Sequence, residues 1–421
     1  MTLPKRLGEQ LLLLLMSIGV GLLAGLSSAA FLLTLEWATS TRLAHPALLF
    51  GLPVAGLLIG LVYHYAGGRA VEGNNLLIDE IHDPQAWVPS RMAPMIFVGT
   101  VITQLFGGSA GREGAAIQMS GSLTDWASRL LRVSSAQRRV LLVVAISAGF
   151  GAVFGVPLAG AVFGLEVQRR TSRHLHAVLP CLFASVTGSA VVTWLGVTHT
   201  LTPELGRVEL SLIVLLKVAL AAMAFGLLGT AFSVSVHAVK WVFAKLFSWF
   251  PARPFFGGLA VIALSLLWQT RIYNGLSLGL IERSLFGGPV PTWAFAAKLV
   301  LTAVTIGSGF VGGEVTPLFV MGATLGASLA VILDLPVPFL AALGFVAVFG
   351  GAANAPIACT VMGLELFGLG AAPYFLLACA VSFAWSSHRG LYSAADSSSR
   401  SLYVPWFVEF LRRSKRVAEI P

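Results

Sequence analysis

Residues 107–121, GGSAGREGAAIQMSG, set an ionisable pair, Arg112 and Glu113, among glycines and other small residues in an otherwise apolar region. Charges at membrane depth cost roughly 2.5 to 3.5 kcal/mol each on insertion scales, so they are kept mainly where they face a cavity or an ion pathway. Glycines let backbone N–H groups approach a bound anion, and a helix that begins here aims the positive end of its dipole at the same place. The expected ligand is therefore an anion. Ionised Glu113 competes with that anion for the same amides, and protonation releases them. The competing reading is structural: an interfacial Arg–Glu pair that closes a helix-breaking loop.

The chain contains a second copy of this stretch. FGAVFGVPLAGAVFGLE over 150–166 recurs as FGGAANAPIACTVMGLE over 349–365, pairing Phe150 with Phe349, Pro157 with Pro356, Gly164 with Gly363 and Glu166 with Glu365 at one offset of 199 residues. Upstream, GREGAAIQMSG from Gly111 aligns with GGEVTPLFVMG from Gly312 at an offset of 201, which matches Glu113 with Glu314 and Gly121 with Gly322. Two halves, each with a Gly-flanked glutamate at the start of a broken helix, are expected when a binding site sits at a repeat interface near the midplane. The residues alone leave open whether the repeat is inverted or parallel. Duplicated packing explains the glycines and Pro157/Pro356; it leaves the duplicated glutamates without a reason.

The elements that must hold these residues are membrane helices. At 421 residues, 57% hydrophobic and 11% charged, with a mean hydropathy of +0.86, the chain is not an ordinary soluble protein. We expect an all-α polytopic membrane protein. A bilayer core takes about 20 helical residues, and apolar pieces such as 92–106 and 339–349 fall short of it. They predict broken or re-entrant helices, which persist at membrane depth only when buried in protein or lining a cavity.

The formal net charge of +9 is clustered at Lys5 and Arg6, at Arg169, Arg170 and Arg173, and at Arg412, Arg413, Lys415 and Arg416. The positive-inside rule puts both termini and the loop after Glu166 in the cytoplasm. These charges flank apolar spans, so no nucleic-acid partner is expected. The apolar run from Leu11 to Ala30 reads as the first membrane helix, being too long for a signal peptide. Cys181, Cys359 and Cys379 are odd in number and lack motif spacing, which makes them core residues. His174 and His176, two apart, point in different directions on a helix, so no metal site is expected; His82, beside Asp83, reads as part of a solvated loop.

Taken together these residues resemble the CLC family of chloride channels and anion/proton exchangers. Gly111-Arg112-Glu113-Gly114 matches that family's G-R-E-G signature, Gly312 to Pro317 sits where chloride members have G-x-F-x-P, and Leu391-Tyr392-Ser393 is similar to the segment bearing the central tyrosine. The resemblance implies a homodimer with one pore per subunit in the cell inner membrane, and an inverted repeat of tilted and broken helices. It divides the chain into a first membrane repeat with its N-terminal helix, 1–205, a second repeat, 206–385, and a C-terminal helix, 386–421, carrying the central tyrosine. It also implies anion coordination by helix N-termini, with Glu113 as the gating glutamate and Tyr392 as the central tyrosine. No cofactor and no enzymatic activity are implied.

The departures from the chloride pattern narrow the resemblance. Ala115 stands where chloride members carry Pro after G-R-E-G, and Gly73-Asn74-Asn75-Leu76-Leu77 replaces their G-S-G-x-P turn. Val167 occupies the place of the inner proton-pathway glutamate of chloride exchangers, and the second-half turn carries Glu314 and Thr316. These changes resemble the fluoride-exporting branch, the CLC-type fluoride/proton antiporters. The implied mechanism has Glu113 carry the proton, moving between an outward position and a pore position near Glu314 and Thr316. Fluoride is small and strongly hydrated, so its site needs close, firm donors: the backbone amides around Gly114 and Val315, the Asn74 amide and the Tyr392 hydroxyl. Thr316 is suited to hold protonated Glu113 and equally to cap a helix, and Asn74 is also suited to a cap or turn. A CLC chloride channel or chloride/proton exchanger is the alternative. A membrane-embedded hydrolase is disfavoured because Ser109 has no histidine partner in either repeated motif.

Overall fold

The computed structural model of the chain describes residues 3–168, 176–199 and 202–386. Among them lie sixteen α-helices and no strand. In chain order they are α1 (Leu3–Ala44), α2 (Leu52–Ala66), α3 (Asn74–His82), α4 (Met92–Leu105), α5 (Glu113–Leu130), α6 (Ser135–Phe154), α7 (Pro157–Glu166), α8 (Val178–Trp194), α9 (Leu212–Leu246), α10 (Ala252–Leu267), α11 (Leu278–Leu285), α12 (Ala294–Gly307), α13 (Val315–Leu333), α14 (Val337–Ala352), α15 (Pro356–Phe367) and α16 (Ala372–Trp385). Among the described residues, five stretches are long and apolar enough to cross a membrane. Those in α6 and α13 are mostly buried inside the protein, whereas those in α1, α2 and α9 leave much of their surface outward. The outward residues are leucines and other apolar side chains, Leu22, Leu26 and Leu33 of α1 among them, as a lipid-facing surface requires.

The breaks fall where the sequence supplies the chemistry for them. α6 stops at Gly155, in the left-handed region with φ 72°, and α7 starts two residues later with Pro157 in its first turn. α15 likewise starts with Pro356 after Asn354, whose φ is 56°. Proline is tolerated there because its missing N–H is one of the donors a helix start leaves unpaired anyway.

Glu166 and Glu365 relate the two halves. The Glu166 carboxylate accepts from Ile357 N at 3.1 Å and Ala358 N at 2.7 Å, the first free amides of α15. Glu365 returns the contact, accepting from Leu158 N at 2.8 Å and Ala159 N at 2.7 Å at the start of α7. Each helix thus ends at the other's beginning, so α7 and α15 run antiparallel and the repeat is inverted. This reciprocal capping corrects one expectation: the Glu166/Glu365 pair does have a packing explanation. Phe150 and Phe349 stack between the halves with ring centroids 6.1 Å apart.

A buried ion network ties α3, α5 and α6. Arg138 donates to Asp125 at 2.6 and 2.9 Å and to Glu80 at 3.2 Å, and its guanidinium lies 4.7 Å from the Trp87 ring centroid. Arg69 donates to the same Glu80 at 2.7 Å. Two guanidinium groups thereby balance two carboxylates, as burial demands. Cys181, Cys359 and Cys379 are buried, with free thiols. His82 is not in a solvated loop: it is the last residue of α3, and its Nε2 lies 2.8 Å from the Gln168 carbonyl oxygen. His174 lies outside the described residues.

Candidate functional site

The two glycine-rich turns meet. Gly111 N donates to Gly313 O at 2.6 Å and Gly313 N donates to Gly111 O at 2.8 Å, a two-residue antiparallel bridge that sets the start of α5 against the start of α13. Close approach requires these glycines. A Cβ on Gly111 would lie 2.9 Å from Thr316 Oγ1, and one on Gly313 2.9 Å from Gly114 N.

The first turn is held rigidly from behind. Gln104 Nε2 donates to Ala110 O at 2.6 Å, Asn274 Nδ2 to Gly107 O at 2.9 Å, and Ser109 N to Thr305 Oγ1 at 3.1 Å. The Ser109 hydroxyl is 2.8 Å from that of Thr302, which makes it a strut of the turn.

Glu113 is the first residue of α5, yet its carboxylate reaches the start of α13. Oε2 accepts from Thr316 N at 3.0 Å, from Arg112 N at 3.1 Å and from the Thr316 hydroxyl. The side chain is only 1% exposed. Here the carboxylate oxygen occupies a place where amide donors and the positive end of a helix dipole converge, so it stands where an anion would bind. The second oxygen is different. Oε1 is buried with no hydrogen-bond partner, and Arg112 Nε lies 3.4 Å away.

The other expected residues are arranged around this contact. Thr316 and Val315, both buried, form the first turn of α13. Asn74 begins α3 directly after Gly73, whose φ is 62°. Its Nδ2 lies 3.2 Å from where a Cβ on Gly114 would be, and its Oδ1 is buried without a hydrogen-bond partner. Asn74 and Gly114 are therefore brought together with Glu113. Glu314, partly exposed, precedes α13 at its N-cap. Its carboxylate makes no hydrogen bond among the described residues, although the Lys240 ammonium of α9 acts on it. Val167, buried, closes α7 after Glu166. Tyr392 lies outside the described residues.

Two residues were not anticipated from the sequence. Gln118, one turn into α5, sets its amide against Gly73. His199, in the segment between α8 and α9, lines a cavity of about 30 Å³ together with Arg112, Glu113 and Thr316. Nothing in the local pattern THT marks it, because only the tertiary fold brings that segment over α5.

The chain has relatives of known type. A sequence profile described as voltage gated chloride channel matches residues 55–387. A chloride/fluoride channel protein of Pseudomonas syringae pv. tomato is 46% identical over 381 residues, spanning 89% of this chain and 84% of that one. The H(+)/Cl(−) exchange transporter ClcA of Klebsiella pneumoniae is 26% identical over 85% of this chain and 81% of its own. Among solved structures, a CLC-type fluoride/proton antiporter superposes with a TM-score of 0.90 at 33% identity, covering 94% of this chain and 100% of that one.

Proposed function

The chain belongs to the CLC family of voltage gated chloride channels, and from that premise we propose that it exports fluoride in exchange for protons, with Glu113 as both gate and proton carrier. One observation carries the reading: Glu113 Oε2 rests on the Thr316 amide and hydroxyl at the start of α13. An ionised carboxylate and a fluoride ion are both small, strongly accepting anions and compete for those donors. While Glu113 is ionised it holds the place and the pathway is closed. A proton added at Oε1 removes its charge, weakens its hold on the amides and lets fluoride take them. Neutral Glu113 then carries the proton inward, toward Glu314 and the cytoplasmic side, while fluoride leaves outward.

Fluoride is favoured over chloride by the donor set. Gly114 and Val315 supply amides from two opposed helix starts, and Asn74 adds a side-chain amide beside Gly114. Such compact N–H donors suit an anion that must exchange a tight water shell for equally close partners. The names of the two most informative relatives agree in mentioning fluoride. With Val167 at the place of a proton-pathway glutamate, the proton has no separate inner carboxylate and stays with Glu113. Tyr392 completes the anion site in this reading. The functional unit is a homodimer in the inner membrane, with a pore in each subunit and both termini cytoplasmic; within each subunit, residues 1–205 and 206–385 are the two repeats.

Flux from liposomes loaded with fluoride or chloride, read together with internal pH, tests the proposal. Fluoride efflux should be much the faster and should drive protons the opposite way. Chloride flux equal to or above that of fluoride would replace the reading with a chloride channel or chloride/proton exchanger of the same family.

A further inference from the structure

His199 carries an inference that goes beyond the gate itself. With the basic run Arg169, Arg170 and Arg173 on the cytoplasmic side, α8 leads away from the cytoplasm, and His199, five residues past its end, lies at the outer side. Its ring covers Gly155, where a Cβ would lie 2.5 Å from His199 Cδ2. From there it lines the same small cavity as Arg112 and Glu113. The cavity, about 30 Å³, has room for a water or two.

His199 and Glu113, which line this cavity, have buried polar atoms without a hydrogen bond. Neither ring nitrogen of His199 has a hydrogen bond of good geometry, although the Val153 backbone lies close enough to favour the protonated ring. Glu113 Oε1, the oxygen not engaged by Thr316, is likewise buried without a hydrogen bond, its ion-pair partner Arg112 Nε standing 3.4 Å away. A buried donor or acceptor left without a partner is costly unless water reaches it, and this cavity has room for that water. Thr202 and Thr316 add hydroxyls to the lining, and the other walls, Phe154 and Phe319 among them, are apolar. The charged groups facing the ring are Arg112 and Glu113 alone among the described lining residues.

We propose that His199 is the outer proton relay that loads Glu113, a step that rests on the antiport reading above. A hydronium ion at the outer side gives a proton to one ring nitrogen and becomes water; the other nitrogen releases its proton, directly or through one water, to Glu113 Oε1. One N–H bond forms, the other breaks and an O–H bond forms on the carboxylate, so the imidazole is left neutral as its other tautomer, and a ring flip or proton exchange with water resets it for the next proton. Burial, and secondarily the Arg112 charge, push the His199 pKa below its ordinary value. The protonated ring is thereby a stronger acid and gives up its proton more readily.

The test uses the full chain in liposomes, with proton uptake driven by an outward fluoride gradient measured between pH 5.5 and 8. Three proteins are compared: wild type, His199→Ala and His199→Gln. Glutamine fills the space and hydrogen-bonds but does not titrate. The relay predicts that both variants lose coupled proton uptake by about tenfold or more, the scale of a lost acid–base group with water as a poor substitute. It also predicts that added imidazole restores the Ala variant, with a pH dependence following imidazole protonation, while the more crowded Gln variant stays slow. Wild-type rates in the Gln variant, or an Ala defect that imidazole leaves untouched, would reduce His199 to a cover over Gly155 and overturn the relay. If the wild type couples protons to chloride instead, the fluoride choice fails and the same comparison on a chloride gradient still decides the role of His199. A wild type that moves anions without protons overturns both the antiport reading and the relay.

Discussion

Two pairs of glutamates occupy equivalent places in the two halves of this protein and end in opposite situations. Glu166 and Glu365 are symmetric: each accepts two backbone N–H bonds at the start of the other half's helix, at distances between 2.7 and 3.1 Å. Glu113 and Glu314 are aligned by the same repeat, but only Glu113 is captured, by Thr316 across the interface, while Glu314 is left partly exposed without a hydrogen bond among the described residues. Where both copies are satisfied, the pair makes a frame, since neither side chain gains by moving. Where one copy is satisfied and the other is not, the two halves differ at the very turns that meet. In the antiport proposed above, this broken symmetry is what lets Glu113 leave its place and a cycle run.

The strongest way to break this comparison is to neutralise the captured glutamate. Glu113→Gln removes the titrating group from the first turn, and fluoride-driven proton uptake should fall by about a hundredfold or to background, the scale of a lost proton-transfer group. Retained coupling, read from internal liposome pH, would move the proton role elsewhere. Thr316→Val keeps the backbone amide and the branched shape but removes the hydroxyl that holds Glu113. A hydrogen bond to a charged group contributes about 1.5 to 3 kcal/mol, so coupling should weaken about tenfold or more while thermal unfolding in detergent shifts little.

The frame should respond in the other currency, stability. Glu166→Gln and Glu365→Gln each weaken a carboxylate cap at a helix N-terminus and should cost about 1 to 2 kcal/mol, nearly equally because the two sites mirror one another. The number of protons moved per fluoride should be unchanged in both. An altered ratio in either variant would bring the frame glutamates into the transport cycle and erase the distinction. The smallest effect belongs to Val167→Ala, which truncates a buried side chain next to Glu166. It should cost at most about 1 to 2 kcal/mol and leave coupling intact; loss of coupling there would indicate an inner proton path through this position.

The parts of this molecule that local sequence encodes were legible before the fold was known. Glycine-flanked Glu113, its copy Glu314 and Thr316 could be read because helix starts and close backbone approach demand particular residue types at fixed short spacing. The alignment of Glu166 with Glu365 was equally visible, but its meaning was not, because reciprocal capping exists only if the repeat is inverted, and residue identities do not encode that orientation. The network of Glu80, Asp125 and Arg138 escaped notice for a related reason: its members are scattered along the chain and meet only when α3 packs against α5 and α6. His82 was misread because its partner, the Gln168 carbonyl, lies far along the chain. His199 had no local signal at all, and Tyr392 lies outside the described residues.

The central claim is that one carboxylate, Glu113, exchanges places with fluoride and carries the proton. It is tested most directly by recording fluoride and proton movement together from liposomes holding the wild-type protein, with chloride as the control anion. An outward fluoride gradient should drive protons inward against their own gradient, chloride should move far more slowly, and Glu113→Gln should abolish the proton movement. Fluoride leaving without any proton movement in the wild type, or chloride leaving as fast as fluoride, would contradict it.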